Sequence, residues 1–573
     1  MSRVLSRAQY ASLYGPTTGD RVRLGDTNLW VRIERDETSY GDETLIGFGK
    51  TVRDGGLARS APTGSSELDL VLTNALVMDP MLGIFKGNIG VKDGRIVGTG
   101  RAGNPDLVEN VDLLISTNTS IMPCNGLIVT PGGVDSHVHA ITPRVVPAAL
   151  SSGITTIVAM GAGPAWDIGV NPAWAIARMV EAFEQLPLNV AFLARGGASR
   201  PEGLRRTVEA GAAGLKIHED LGASPAVVDC VLGVAEEYDV AVAMHTDGIN
   251  EWGLLDETVA ALAGRTVHAY HVEGAGGGHT PNLLEILRHA NVLPSSTNPT
   301  IPYTRHTAAE HLEMIMTVHA LNHALTTDVA AARDRVRPST LAAEDLLHDR
   351  GAISMTSSDA LGMGRIGETI VRTWQLAHAN KARAILADRD DGREDGGEDG
   401  ADNERVLRYL AKYTINPART HGLDRHVGSL EAGKTADLVI WRPALFGVKP
   451  ELVVKGGLGA WGLLGDGNAT TELAQPLVYG PQYGMLGRAP ASLSLGFVSQ
   501  ASLDNGQAAA TGTRRALVPV RGTRAVRKGD MVRNTLTPSV RVDPRTLEVT
   551  LDGEPLVCDP VDAVPLNRLY TLG

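Results

Sequence analysis

Apolar and polar positions follow two rhythms along this chain, and the change of rhythm marks its organisation. From residue 68 to about 130, short apolar runs are separated by glycine-containing turns, in LDLVLTNALVM, GNIGVKDGRIVGTG and GLIVTPGG. Alternation of period two, broken by a turn such as KDGR, predicts strands and hairpins. The texture returns at 427–460, in VGSLEAGKTADLVIWRP and PELVVKGG. Two such pieces predict one β-rich sandwich domain built from both flanks of a central domain.

Between them the rhythm lengthens. Apolar runs TTIVAM (155–160), NVAFLA (189–194), AGLKI (213–217), VAVAM (240–244), TVHAYHV (266–272) and AISMTS (352–357) alternate with helical stretches. PAWAIARMVEAFEQL and AAEHLEMIMTVHALNHAL carry apolar residues near i, i+3 and i+4, the signature of a helix with one buried face. Strand–helix alternation over this length predicts an α/β fold with a (β/α)8 barrel. The expected division is a β-rich flank over 1–130, the barrel over 131–426, the second β-rich part over 427–484, and an extension over 485–573. That extension is rich in Gly and Arg, has little periodicity, and is expected to pack against the rest.

Charge changes this picture little. The formal net charge is −12, but residues 388–404 alone hold nine acids and two arginines, a net −7, which leaves −5 for the rest. The acidic run is expected to be a solvated loop. No basic stripe is available to neutralise phosphates, so nucleic acid is excluded as a partner. Three cysteines without paired spacing point to a reducing compartment. No apolar leader and no run of about 18 apolar residues is present, so a cytoplasmic protein with no membrane partner is expected.

Histidine placement carries the chemistry. All 16 histidines fall between His137 and His426. His137 and His139, two apart, share one face if they lie on a strand, so both imidazoles can reach one cation. Lys216, His245, His271 and Asp359 each stand at or near the end of a separate apolar run. Strand ends of a barrel converge on its C-terminal face, so these six residues are candidate metal ligands. Lys216 among cations has a lowered pKa and can take up carbon dioxide, becoming a carbamate that bridges two metal ions. Imidazole and carboxylate donors suit Ni, Zn, Fe or Mn.

Long stretches of the chain resemble the large, catalytic alpha subunits of the urease family. They include YGPTTGDRVRLGDTNLWVRIE, TNALVMDP, IGVKDGRI, GGVDSHVHAITP, GLKIHED, HVEGAGGGHTPN, TLAAEDLLHDRGAISMTSSDA, RYLAKYTINPARTHG and ADLVIWRPALFGVKPELVVKGG. The resemblance implies urea hydrolysis at two Ni2+ ions bridged by carbamylated Lys216 and a hydroxide. His245 and His271 would bind one nickel, and His137, His139 and Asp359 the other. His218 would hydrogen-bond the urea carbonyl oxygen. His319, on a mobile flap at about 305–340, would be the general acid toward departing ammonia, and Arg335 would orient that flap. Backbone carbonyls at Gly362 and Val170 would contact urea N–H groups. The implied partners are the small beta and gamma urease subunits, nickel-loading accessory proteins, and further copies in a trimeric assembly.

Several pocket positions depart from the family pattern. Thr317-Val318-His319-Ala320 replaces V-C-H-H, so thiol reagents should not act through the flap. Ala360-Leu361-Gly362-Met363 replaces S-Q-A-M. Leu221 replaces a tryptophan, HTDGINE stands for HTDTLNE, and the loop at 162–174 is shorter. Two other readings stay open from the residues: hydrolysis of another small or cyclic amide, and a non-catalytic paralogue.

Overall fold

Eight parallel strands stand in chain order around a common axis in the computed structural model of the protein: β1 (Gly133–His139), β2 (Ile154–Met160), β3 (Asn189–Arg195), β4 (Gly214–His218), β5 (Ala241–His245), β6 (Val267–Tyr270), β7 (Val292–Thr297) and β8 (Met355–Ser357). The structure describes residues 4–41, 56–60, 67–160, 170–218, 223–246, 255–274, 279–390, 400–464 and 478–567. The ring is nearly closed. Just past β8, Ala360 accepts a hydrogen bond from the His139 amide at 2.9 Å and donates to the His137 carbonyl at 3.3 Å. Strand β2 is buried along its whole length, as strands covered on both faces require.

Helices α1 (Val145–Ser152), α2 (Ala173–Ala182), α3 (Pro201–Glu209), α4 (Pro225–Tyr238) and α5 (Asp256–Leu262) follow the first five strands. Three more, α6 (Thr307–Val318), α7 (Thr326–Arg335) and α8 (Pro338–Asp349), lie between β7 and β8, and α9 (Thr369–Asp390) follows β8. Proline opens α3, α4 and α8, where its missing N–H costs nothing, and the Ser224 hydroxyl caps α4 through the Val227 amide.

Two expectations need correction. The apolar spacing over 308–325 predicted one continuous helix, but α6 stops at Val318. The Leu321 amide turns back to the Met316 carbonyl at 2.9 Å while Ala320 adopts φ +52°, a left-handed helix stop. None of the apolar runs marks a strand where β7 lies. Its sequence, VLPSST, is fully buried yet polar because its hydroxyls serve buried histidines: Ser295 meets His268, Ser296 meets His348, and Thr297 meets His271.

A ten-stranded sheet is drawn from both flanks. It includes Leu70–Asp79, Gly83–Lys92 and Ile128–Pro131 from the N-terminal side and Leu438–Trp441, Leu452–Lys455 and Leu458–Leu464 from the C-terminal side. Ile128–Pro131 pairs parallel with Leu70–Asp79 and antiparallel with Leu438–Trp441, which joins the halves. Inside Leu70–Asp79 a bulge at Asn74, φ +55°, flips the side-chain parity, so Leu70 and Leu72 share a core with Ala75 and Val77. The KDGR turn forms as expected, with Asp93 at φ +48° and Gly94 at φ +73°. In the extension, Leu495–Val498 adds a parallel strand to β3 at Val190 and Ala191. Among the described residues no helix is long and apolar enough to cross a membrane.

Candidate metal centre

The inward row of β1 is Asp135, His137, His139, set by the two-residue repeat of a strand. Each member has a distinct task. Asp135 accepts from the amides of His137 (3.2 Å) and Ser358 (3.1 Å) and from the Thr369 hydroxyl (3.0 Å), which ties β1 to the end of β8 and to α9. Burial raises its carboxyl to about 6 against those donors. His137 and His139 then face Asp359, whose Oδ1 lies 3.1 Å from His137 Nε2 and 3.2 Å from His139 Nε2. Within the described residues, these three form the grouping of His, Cys, Asp or Glu side chains close enough to hold one ion.

The second cluster follows from β4, β5 and β6. His218 stacks on His245 with centroids 4.1 Å apart, and His245 lies 4.7 Å from His271. His271 Nε2 stands 3.6 Å from the other oxygen of Asp359, so that carboxylate faces both clusters. The buried Lys216 side chain, on the inward face of β4, ends 4.2 Å from the centre of the Tyr270 ring. The structure thus brings all six candidate ligands and His218 to one end of the barrel.

The backbone is strained here in two places. His271 adopts φ +50° and Asp359 φ +53°, conformations that non-glycine residues hold only where surroundings enforce them. Nothing in the sequence signals either.

The donor set fits a cation. Burial, followed by the charge of Lys216, holds His137 well below the usual imidazole range; burial likewise lowers His245 and His218. Burial brings His271 down to about 3 against the pull of Asp359. These rings are neutral, as ligation requires. Burial pushes the Asp359 carboxyl up, but the His139 hydrogen bond and the neighbouring His271 and His139 outweigh it and hold the group ionised. Both ring nitrogens of His137 and Nε2 of His271 are buried without a hydrogen bond, and ligation of a metal ion would remove that cost for one nitrogen of each ring.

His319 caps the end of α6, beyond its last helical residue. Its Nδ1 lies 3.1 Å from the Ile315 carbonyl, and its Nε2 lies 3.1 Å from Arg335 Nη1. A guanidinium only donates, so Nε2 accepts and Nδ1 carries the hydrogen. Val318 packs against the apolar cluster of Ile315, Met316, Ala332 and Met363. Val170 packs against the main core and bridges to Gly196. Gly362 lies against Asp359, where a Cβ would strike the carboxylate. Leu221, residues 247–251 of HTDGINE, residues 162–169 of the short loop and residues 391–399 of the acidic run lie outside the described residues.

Sequence reasoning missed Asp135, Thr297 and Tyr270. Asp135 was open to the same parity that picked out His137. Tyr270 and Thr297 carry no comparable signal, because they join the site only through neighbouring strands.

The amidohydrolase family profile matches residues 128–459, and that of the urease alpha-subunit N-terminal domain matches residues 3–122. Among solved structures, the chain is similar to a D-hydantoinase (dihydropyrimidinase) from Thermus sp., at 16% identity and TM-score 0.46 over 68% of this chain and 95% of that one. It is also similar to an L-hydantoinase (dihydropyrimidinase) from Arthrobacter aurescens, at 16% identity and TM-score 0.46 over 76% and 100%. The amidohydrolase match takes in more than half of the chain, including the barrel and its His-His-Asp grouping, and the protein therefore belongs to that family of metal-dependent hydrolases.

Proposed function

We propose that the protein is a urea amidohydrolase working at two nickel ions bridged by carbamylated Lys216. One observation carries the reading: Asp359 faces the His137–His139 pair with one oxygen and His271 with the other. The match of residues 3–122 to a urease alpha-subunit domain supports urea as the amide.

In this reading His137, His139 and Asp359 would hold one ion, His245 and His271 the other, and Lys216 would serve both as a carbamate. When bound, the ions supply Lewis acidity toward a carbonyl oxygen and lower the pKa of water toward neutrality. His218 donates a hydrogen bond to the urea carbonyl oxygen, and the backbone carbonyls of Gly362 and Val170 receive urea N–H groups. His319 delivers a proton to the departing nitrogen. Its Nε2 faces Arg335 in the structure, so the flap must first release that contact for Nε2 to carry a proton. Arg335 thereby sets when the acid is armed.

The reading extends to partners: small beta and gamma subunits, nickel-loading proteins, and a trimeric assembly in the cytoplasm. The test is urea-dependent ammonia release by the chain co-expressed with those subunits and loading proteins, beside Lys216→Ala. Ammonia release that vanishes together with metal in Lys216→Ala is the expected result. A wild-type sample loaded with both metals that releases none from urea would overturn it.

A further inference from the structure

One aromatic ring lies beneath the cluster. Tyr270, buried on β6, stacks on His137 with centroids 3.7 Å apart and planes 13° from parallel. The Lys216 amine stands over the same ring, 4.2 Å from its centre. The Tyr270 hydroxyl spans the barrel interior from β6 to β1, where it donates to the Ser136 carbonyl at 2.6 Å. Below the ring, His268 approaches at 4.5 Å, nearly perpendicular, and bonds onward to His421 and Ser295.

We propose that Tyr270 is a positioning residue for the metal centre, its ring setting the plane of His137 and the seat of Lys216 together. The proposal rests on the reading of His137 and Lys216 as ligands.

A metal-ligating histidine ordinarily has its ring held by a hydrogen bond from the second nitrogen to an outer partner. His271 has such a partner, since its Nδ1 lies 3.1 Å from the Thr297 hydroxyl. His137 has none; neither ring nitrogen makes a hydrogen bond. The face of Tyr270 is the surface against which its orientation is defined. Rotation of the imidazole out of the stacked plane would lose that contact and swing Nε2 away from Asp359.

Lysine has a flexible stem and no directional fork, so its amine also needs a seat. The negative face of the Tyr270 ring supplies one through cation–π attraction. The ring fixes where the amine stands and takes no part in its deprotonation. Lys216 Nζ must shed a proton to bond the carbon of carbon dioxide, and sheds a second as the carbamate forms.

The ring and the hydroxyl are separable. Tyr270→Phe keeps the stacking face and loses the Ser136 hydrogen bond, while Tyr270→Leu removes the face. Each full-length variant would be prepared with the same partners as wild type, its fold checked by circular dichroism. Nickel affinity of the metal-free protein and the 13C carbamate signal after exposure to labelled bicarbonate would then be measured. Tyr270→Leu is expected to bind nickel about tenfold or more weakly and to show a reduced carbamate signal, in the range of lost outer partners. Tyr270→Phe is expected to restore most of both. Wild-type affinity and carbamate in Tyr270→Leu, or equal losses in both variants, would overturn the role of the ring. Should Tyr270→Leu not fold, Tyr270→Met, closer in volume and without a face, answers the same question. Wild-type protein that binds no nickel at all would defeat the parent reading and this proposal with it.

Discussion

Gly362 shows how a single missing Cβ shapes this site. A side chain there would run into Oδ1 of Asp359, the oxygen that faces both His137 and His139. Its amide also donates to the Asp359 carbonyl at 3.0 Å, inside a turn where Asp359 and Leu361 both hold positive φ. Gly362→Ala is expected to displace the carboxylate and lower metal affinity about tenfold with the fold retained. Metal titration of the folded variant checks this, and unchanged affinity would show that the turn absorbs the extra methyl. Legibility divides sharply at this scale. His137 and His139 could be paired from strand parity alone. The aim of Asp359 could not, because it depends on a left-handed backbone forced by the closure of β8 onto β1.

At the scale of elements, the barrel strands with continuous apolar runs were plain in the sequence, and β7 was not. Hydrophobicity marks a strand whose side chains meet only other apolar groups; β7 spends three hydroxyls on buried imidazoles instead. The helix over 308–325 was misjudged for a related reason. Periodicity registers which face is apolar, but not the reversal at Ala320 that separates α6 from α7. The extension, poor in periodicity, is bound by polar means. Arg515 is buried and donates to the carbonyls of Leu188 (2.5 Å) and Leu495 (3.1 Å), and also to those of Phe183 and Leu186. Arg515→Ala would take a buried donor from each of these carbonyls, with an expected loss of about 3 kcal/mol. Guanidinium denaturation measures it; a loss below about 1 kcal/mol would mean that water replaces the guanidinium.

Across the whole molecule, buried neutral histidines set a limit on acid stability. Burial takes His421 from 6.5 down to about 3, and burial first, then neighbouring positive groups, hold His268 and His348 well below 6.5. The unfolded chain therefore binds more protons than the folded one below pH 6.5. Stability from these groups is complete above 6.5 and falls as pH drops toward 3, at up to about 1.4 kcal/mol per pH unit for each group. Guanidinium midpoints of the metal-free protein should decline from pH 7.5 to pH 5, and His421→Gln should flatten that decline. A midpoint constant over this range would contradict the burial argument.

The amino-acid order alone was enough for the alternation of strand and helix, the β-rich flanks, and the choice of candidate metal ligands, since each depends on spacing along one segment. Convergence was another matter. The approach of Asp359 to His137, His139 and His271, and the ring of Tyr270 beneath His137 and Lys216, join residues far apart in the chain. Tertiary structure decided these, because burial and distance between segments exist only once the barrel has closed.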